Sequence, residues 1–107
     1  MTAHTSLVEQ LQLLEDEHPQ VHTVLSVHHE EVQTALEASS RAYPTSRQLY
    51  EGLDDPDIHP NMLARVLGFL AEIEVIDTYT VRSGANRYDL REYDAARYGR
   101  IGKLLVE

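Results

Sequence analysis

Apolar residues recur at helical spacing from early in the chain. Leu7, Leu11 and Leu14 lie three or four apart, and Ser6 with Glu9 three residues on is a capping-box pattern. With Pro19 closing the segment, this predicts a helix over 6–18. A second helical stretch carries Val21, Val24, Leu25, Val32, Ala35 and Leu36 on one face, with a break expected near His28–His29 and an end near Ser39–Ser40. Pro44 precedes Thr45-Ser46-Arg47-Gln48, a second capping box, and opens a short helix with Leu49 and Tyr50 that stops at Gly52.

The segment Leu53-Asp54-Asp55-Pro56-Asp57 is polar and turn-rich. Pro60 then stands at a first helical position. Residues 60–75 form the strongest amphipathic pattern, with Leu63, Val66, Leu67, Leu70 and Ile73 inward and Asn61, Arg65, Gly68 and Glu72 outward. After that the period changes from helical to alternating. Residues 75–81 are rich in β-branched and aromatic types, Ser83-Gly84-Ala85-Asn86 reads as a turn, and Arg87-Tyr88-Asp89-Leu90 as a return strand. A last helix is expected over 91–106 on Tyr98, Ile101 and Leu105, weakened by Gly99 and Gly102.

Length and composition narrow this further. The 107 residues suffice for one domain, and 42% hydrophobic content belongs to a globular chain. Cysteine is absent, which excludes disulfides, thiol catalysis and Cys-ligated zinc. No apolar run is long enough to cross a bilayer, and no leader pattern opens the chain, so a soluble cytoplasmic protein without a membrane partner is expected. The net charge is −9, from nine Lys+Arg against 18 Asp+Glu, and Lys103 is the only lysine. An acidic, lysine-poor chain resembles proteins of salt-in halophilic archaea, where a Debye length of about 3 Å at molar salt screens self-repulsion. An ordinary acidic domain is the alternative.

The charge is unevenly spread. Residues 1–40 hold Glu9, Glu15, Asp16, Glu17, Glu30, Glu31 and Glu37 and no Lys, Arg, Phe, Trp or Tyr. All nine bases, all six tyrosines and Phe69 lie in 41–107. A polyanion would be met by the second part, with the seven early acids turned away from it.

Chemistry-bearing patterns are few. Of the six histidines, His18 and His22 stand four apart but Pro19 interrupts them, and no His-Glu-x-x-His run exists, so no metal site is expected. No phosphate-binding glycine loop or nucleophile motif is present, so neither an enzyme nor a cofactor is expected.

The order of elements resembles a winged helix-turn-helix domain, best over residues 30–90. Ile58-His59-Pro60-Asn61-Met62-Leu63-Ala64-Arg65-Val66-Leu67 is similar to the entry of a recognition helix, and Leu70-Ala71-Glu72-Ile73-Glu74-Val75-Ile76-Asp77 to the passage into a wing. The overall run is similar to small archaeal regulators of the ArsR-, MarR- and PadR-like kinds. The resemblance implies a mainly α fold with a small β-hairpin (α+β): an N-terminal helical extension over 1–28, the winged domain over 29–90 and a C-terminal helix over 91–107. It implies a transcriptional regulator of a halophilic archaeon that binds double-stranded DNA. The recognition helix would span 60–74 and the wing 75–90, with a homodimer formed through the terminal helices.

Its DNA contacts would be Thr45, Ser46 and Arg47 at a helix N-terminus, and Asn61, Ala64, Arg65 and Gly68 along the recognition helix. Arg82, Ser83, Asn86 and Arg87 would serve on the wing. Asn and Arg can read base edges bidentately, four residues apart on one helix face. The same residues also have plainer uses as caps, solvated charges and packing sites. The loop before Pro60 is longer than a usual helix-turn-helix turn and carries three aspartates. A winged-helix module that docks proteins in replication or transcription machinery therefore stands as the alternative.

Overall fold

The computed structural model describes residues 6–40, 42–54, 56–80, 86–91 and 93–106. Helix α1 spans Leu7–Glu17 and α2 Pro19–Ala38, separated only by His18. Ser6 caps α1 by accepting the Glu9 N–H at 3.2 Å, and Pro19 occupies the first turn of α2, where a missing N–H costs nothing. Within α2 the backbone leaves helical geometry at His28 (φ −108°, ψ 21°), at the expected break. Position 28 is thus the kink that joins two helical stretches of α2. Leu11, Leu14, Val21, Leu25, Val32 and Leu36 on the two sides of it are buried in the same core.

Helix α3 covers Ser46–Glu51 under a full capping box: Thr45 Oγ1 accepts the Gln48 N–H at 3.1 Å, and Gln48 Oε1 accepts the Thr45 N–H at 3.0 Å. Helix α4 covers Pro60–Glu72 and buries Leu63, Val66, Leu67 and Leu70 completely. Each such side chain contributes about 1.5–3 kcal/mol. Strands β1 (Asp77–Thr80) and β2 (Asn86–Asp89) pair antiparallel, with Asp77 opposite Asp89 and Thr80 opposite Asn86. Helix α5 covers Ala95–Val106.

Helix α2 is the central element. It packs against α1, α3, α4 and α5, and α3 packs against α4. The architecture is therefore mainly helical with a small antiparallel hairpin. Among the described residues no helix is long and apolar enough to cross a membrane.

Three boundaries differ from the sequence expectation. Helix α4 ends at Glu72 because the chain turns there: the Val75 N–H reaches Leu70 O at 2.9 Å and the Glu74 N–H reaches Ala71 O at 3.2 Å. This closure needs a left-handed residue, and Glu74 supplies it at φ 65°. Helix α5 starts at Ala95, four residues late. Leu90 O accepts the Tyr93 N–H in a turn, and Asp94 Oδ1 then caps the helix through the Arg97 N–H at 2.9 Å. Strand β1 begins at Asp77, since Val75 and Ile76 are buried in the core ahead of it.

One element escaped the sequence reading. Pro44 O accepts the Tyr88 N–H at 2.9 Å and Ala42 O accepts the Leu90 N–H at 3.0 Å. Residues 42–44 thus line the outer edge of β2 and tie the hairpin to the start of α3.

Candidate functional site

The outward stripe of α4 is Asn61, Arg65, Gly68 and Glu72, and all four are exposed. His59 caps the helix, its Nδ1 accepting the Asn61 N–H at 3.1 Å, while Ile58 beside it is buried. The plug at Ile58 and the cap at His59 fix where α4 begins, and with it the direction of Asn61 and Arg65. Neither the Asn61 amide nor the Arg65 guanidinium has a partner among the described residues. Gly68 meets nothing within 4 Å of where a Cβ would stand, so packing does not require it. Ala64 is half-buried on the flank of the stripe.

The stripe does not stand alone. Arg65, Gly68, Phe69 and Glu72 line a cleft of about 250 Å³ with Leu14, His18 and Val21. The corner between α1 and α2 therefore borders the middle of α4. A second hollow continues along Phe69, Glu72 and Ile73 against Gln10, Leu13 and Glu17. The acidic end of α1 lies on this side of the molecule, against the expectation that the early acids all turn away from the α4 face. The cause is the one-residue link at His18, which forces α1 back alongside α2 and so beside α4.

The helix N-terminus at α3 carries the second group. Thr45 and Ser46 are half-buried, and Thr45 is committed to the capping box. Arg47 is exposed, with Nε 3.6 Å from Glu51 Oε2 one turn on. Arg87 is drawn to the same place: its Nη1 donates to Tyr43 O at 3.0 Å, two residues before Thr45. Arg82 and Ser83 lie outside the described residues, and Asn86 is described by its backbone pairing with Thr80. Because α3 packs on α4, both groups belong to one helix pair.

Most described cations are engaged inside the chain. Arg91 forms a fork on Asp89, with Nε 3.2 Å from Oδ1 and Nη2 3.1 Å from Oδ2, and its guanidinium carbon lies 5.0 Å from the Tyr43 ring centre. That fork holds the Asp89 carboxyl below its ordinary range and offsets the like charge of Asp77 across the ladder. Arg97 Nε donates to Ile73 O at 2.8 Å. Arg65, Arg100 and Lys103 make no hydrogen bond or ion pair among the described residues. Exposed acids Asp54, Asp57 and Glu72 flank α4.

His28 and His29 serve the scaffold. His28 Nδ1 lies 2.8 Å from Glu31 Oε1, and Glu31 Oε2 accepts the Asp57 N–H at 3.0 Å, which ties the α2 kink to the loop before α4. His29 stacks on Tyr98 with ring centres 4.5 Å apart and planes 5° from parallel. The buried Tyr98 hydroxyl donates to His29 O at 2.7 Å, and burial raises its pKa above the ordinary tyrosine value. Tyr93 is likewise raised, by burial first and then by its hydrogen bond to Glu37. Among the described residues no group of three or more His, Cys, Asp or Glu comes together to hold a metal ion. Comparison with protein-family models, curated proteins and solved structures finds no match.

Proposed function

We propose that this chain is a winged helix-turn-helix protein that binds double-stranded DNA and regulates transcription in the cytoplasm of a halophilic archaeon, with no catalytic step. The helix pair α3–α4 is the helix-turn-helix, and the hairpin β1–β2 is the wing. One observation carries the reading. Asn61 and Arg65, two side chains suited to base edges, stand exposed on the face of α4 away from the core, with no partner among the described residues. The pairing of residues 42–44 with β2 supports it, because it fixes the hairpin beside the start of α3.

The α1–α2 corner limits how α4 can be used. Leu14, His18 and Val21 border α4 from Arg65 to Glu72, so a duplex engages the start of α4, at Asn61 and the exposed Arg65 side chain, and not its full length. Arg87, held by Tyr43 O, acts by fixing the wing, with its remaining N–H groups left for a phosphate.

The test is a titration with duplex DNA over a range of KCl, followed by Arg65→Ala. A loss of about 1–3 kcal/mol with relaxed preference at one base position is expected. Absence of duplex binding at every KCl concentration where the protein is folded overturns the reading. A specific observation then favours a protein-docking module: Arg47, Arg87, Arg91 and Arg97 are engaged within the chain, and acids flank α4.

A further inference from the structure

The cleft beside α4 does not end at Glu72. It continues as a hollow of about 360 Å³ walled by Leu13, Leu14, Phe69 and Ile73. The two parts share Leu14, His18, Phe69 and Glu72, so they form one channel between the end of α1 and the outward side of α4. Its size suits a small molecule. Acceptors dominate the polar side chains of the second part. Glu17 and Glu72 bring carboxylates, and neither makes a hydrogen bond or ion pair among the described residues. Gln10 also lines it, and Gln10 Oε1 is buried with no hydrogen-bond partner. An acceptor left so is costly, and a donor brought to it recovers that cost. Among the described residues no lysine or arginine lines this part.

Two further features of the channel have no use in packing. Leu13 is 51% exposed although it is a large apolar side chain. Gly68 lies inside α4, where glycine is unfavourable relative to alanine, and it lines the first part of the channel. A Cβ there would meet nothing within 4 Å, so glycine leaves open a space that any side chain would begin to fill.

We propose that this channel binds a small organic cation, a protonated primary amine carried on an aromatic or alkyl body. An ammonium offers three N–H donors and no acceptor, which matches two carboxylates and an unpartnered amide oxygen. Glu17 and Glu72 take two of the donors, and Gln10 Oε1 takes the third by rotation of its amide. The body lies along Leu13, Leu14 and Phe69 and runs toward the space at Gly68. An anion of the same shape is repelled by the two carboxylates.

Binding is measured without DNA, so its outcome is separate from that of the DNA reading. Phenylbutylammonium is titrated into the isotope-labelled full chain, in the lowest KCl at which circular dichroism shows it folded. Saturable NMR shifts are expected at residues 10–18 and 68–73. Phenylbutanoate, the same body with the opposite charge, should bind roughly tenfold or more weakly. Glu17→Gln/Glu72→Gln should weaken the ammonium by roughly tenfold, and Gly68→Leu, which fills the channel and keeps its charge, likewise. Glu9→Gln/Glu30→Gln removes the same charge elsewhere and should leave the affinity unchanged. Absence of saturable binding overturns the proposal, as do shifts spread over the acidic surface. Equal affinity for phenylbutanoate, or equal losses in the two glutamine pairs, overturns it too. So does indifference to Gly68→Leu. Where Glu17→Gln/Glu72→Gln unfolds the chain, the two changes are made singly, and indifference to both is equally fatal.

Discussion

Replacing Gly102 with alanine ought to stabilise a helix by about 1 kcal/mol on propensity alone. The structure reverses that sign. A Cβ at Gly102 would overlap Nε2 and Cε1 of the His29 ring. The ring cannot swing aside freely, because it is stacked on Tyr98, whose side chain is fully buried and hydrogen-bonded to the His29 carbonyl. Overpacking costs about 1–3 kcal/mol, and losing an aromatic stack about 0.5–1.5 kcal/mol more. Subtracting the propensity gain leaves Gly102→Ala destabilised by about 0.5–3.5 kcal/mol. In a domain of this size that lowers Tm by roughly 4–8 °C per kcal/mol. Thermal and urea unfolding followed by circular dichroism give the number. His29→Ala provides the control: in that background the overlap is gone, and Gly102→Ala should become stabilising. A double-mutant cycle then yields a coupling of about 0.5–3 kcal/mol. If Gly102→Ala is as stable as wild type, or costs the same with and without the His29 ring, the packing argument is wrong.

Glu74→Gly should raise stability by about 0.5–1 kcal/mol, since Glu74 holds a left-handed φ that glycine adopts without strain; a loss in urea unfolding would contradict this. Gly68→Ala should also stabilise α4, by about 1 kcal/mol in urea unfolding, because its Cβ enters open space. Tyr98 has its pKa raised above the ordinary 10.0, so its contribution is fully present below pH 10 and is lost as pH rises beyond it. Tyr98→Phe should therefore flatten the alkaline loss of stability, at a cost of about 1 kcal/mol near neutrality for the missing hydroxyl bond. Equal alkaline slopes in the two proteins would refute the assignment.

The helices were legible because their signals are local. Ser6, Thr45 and Pro60 mark starts, and apolar residues three and four apart mark the buried faces, within single turns of chain. The outward stripe of α4 followed from the same periodicity, so Asn61 and Arg65 could be named from the sequence. The short, irregular ends could not. Glu74 ends α4 through a left-handed turn that carries no glycine, and Asp94 caps α5 only after Leu90 O has accepted the Tyr93 N–H.

What the sequence left open are the meetings of residues far apart along it. Nothing along the chain shows that Arg87 donates to Tyr43 O, forty-four residues earlier. Gly102 looks like a weakness in a helix until His29 is found lying over it. Glu17 looks remote from α4 until the single-residue link at His18 turns α1 back, and Glu17 then lines one hollow with Phe69 and Glu72. Caps and periodicity act over a few residues and are written in order along the chain. Which face meets which is decided by the joint burial of the whole core, and only the folded chain solves that.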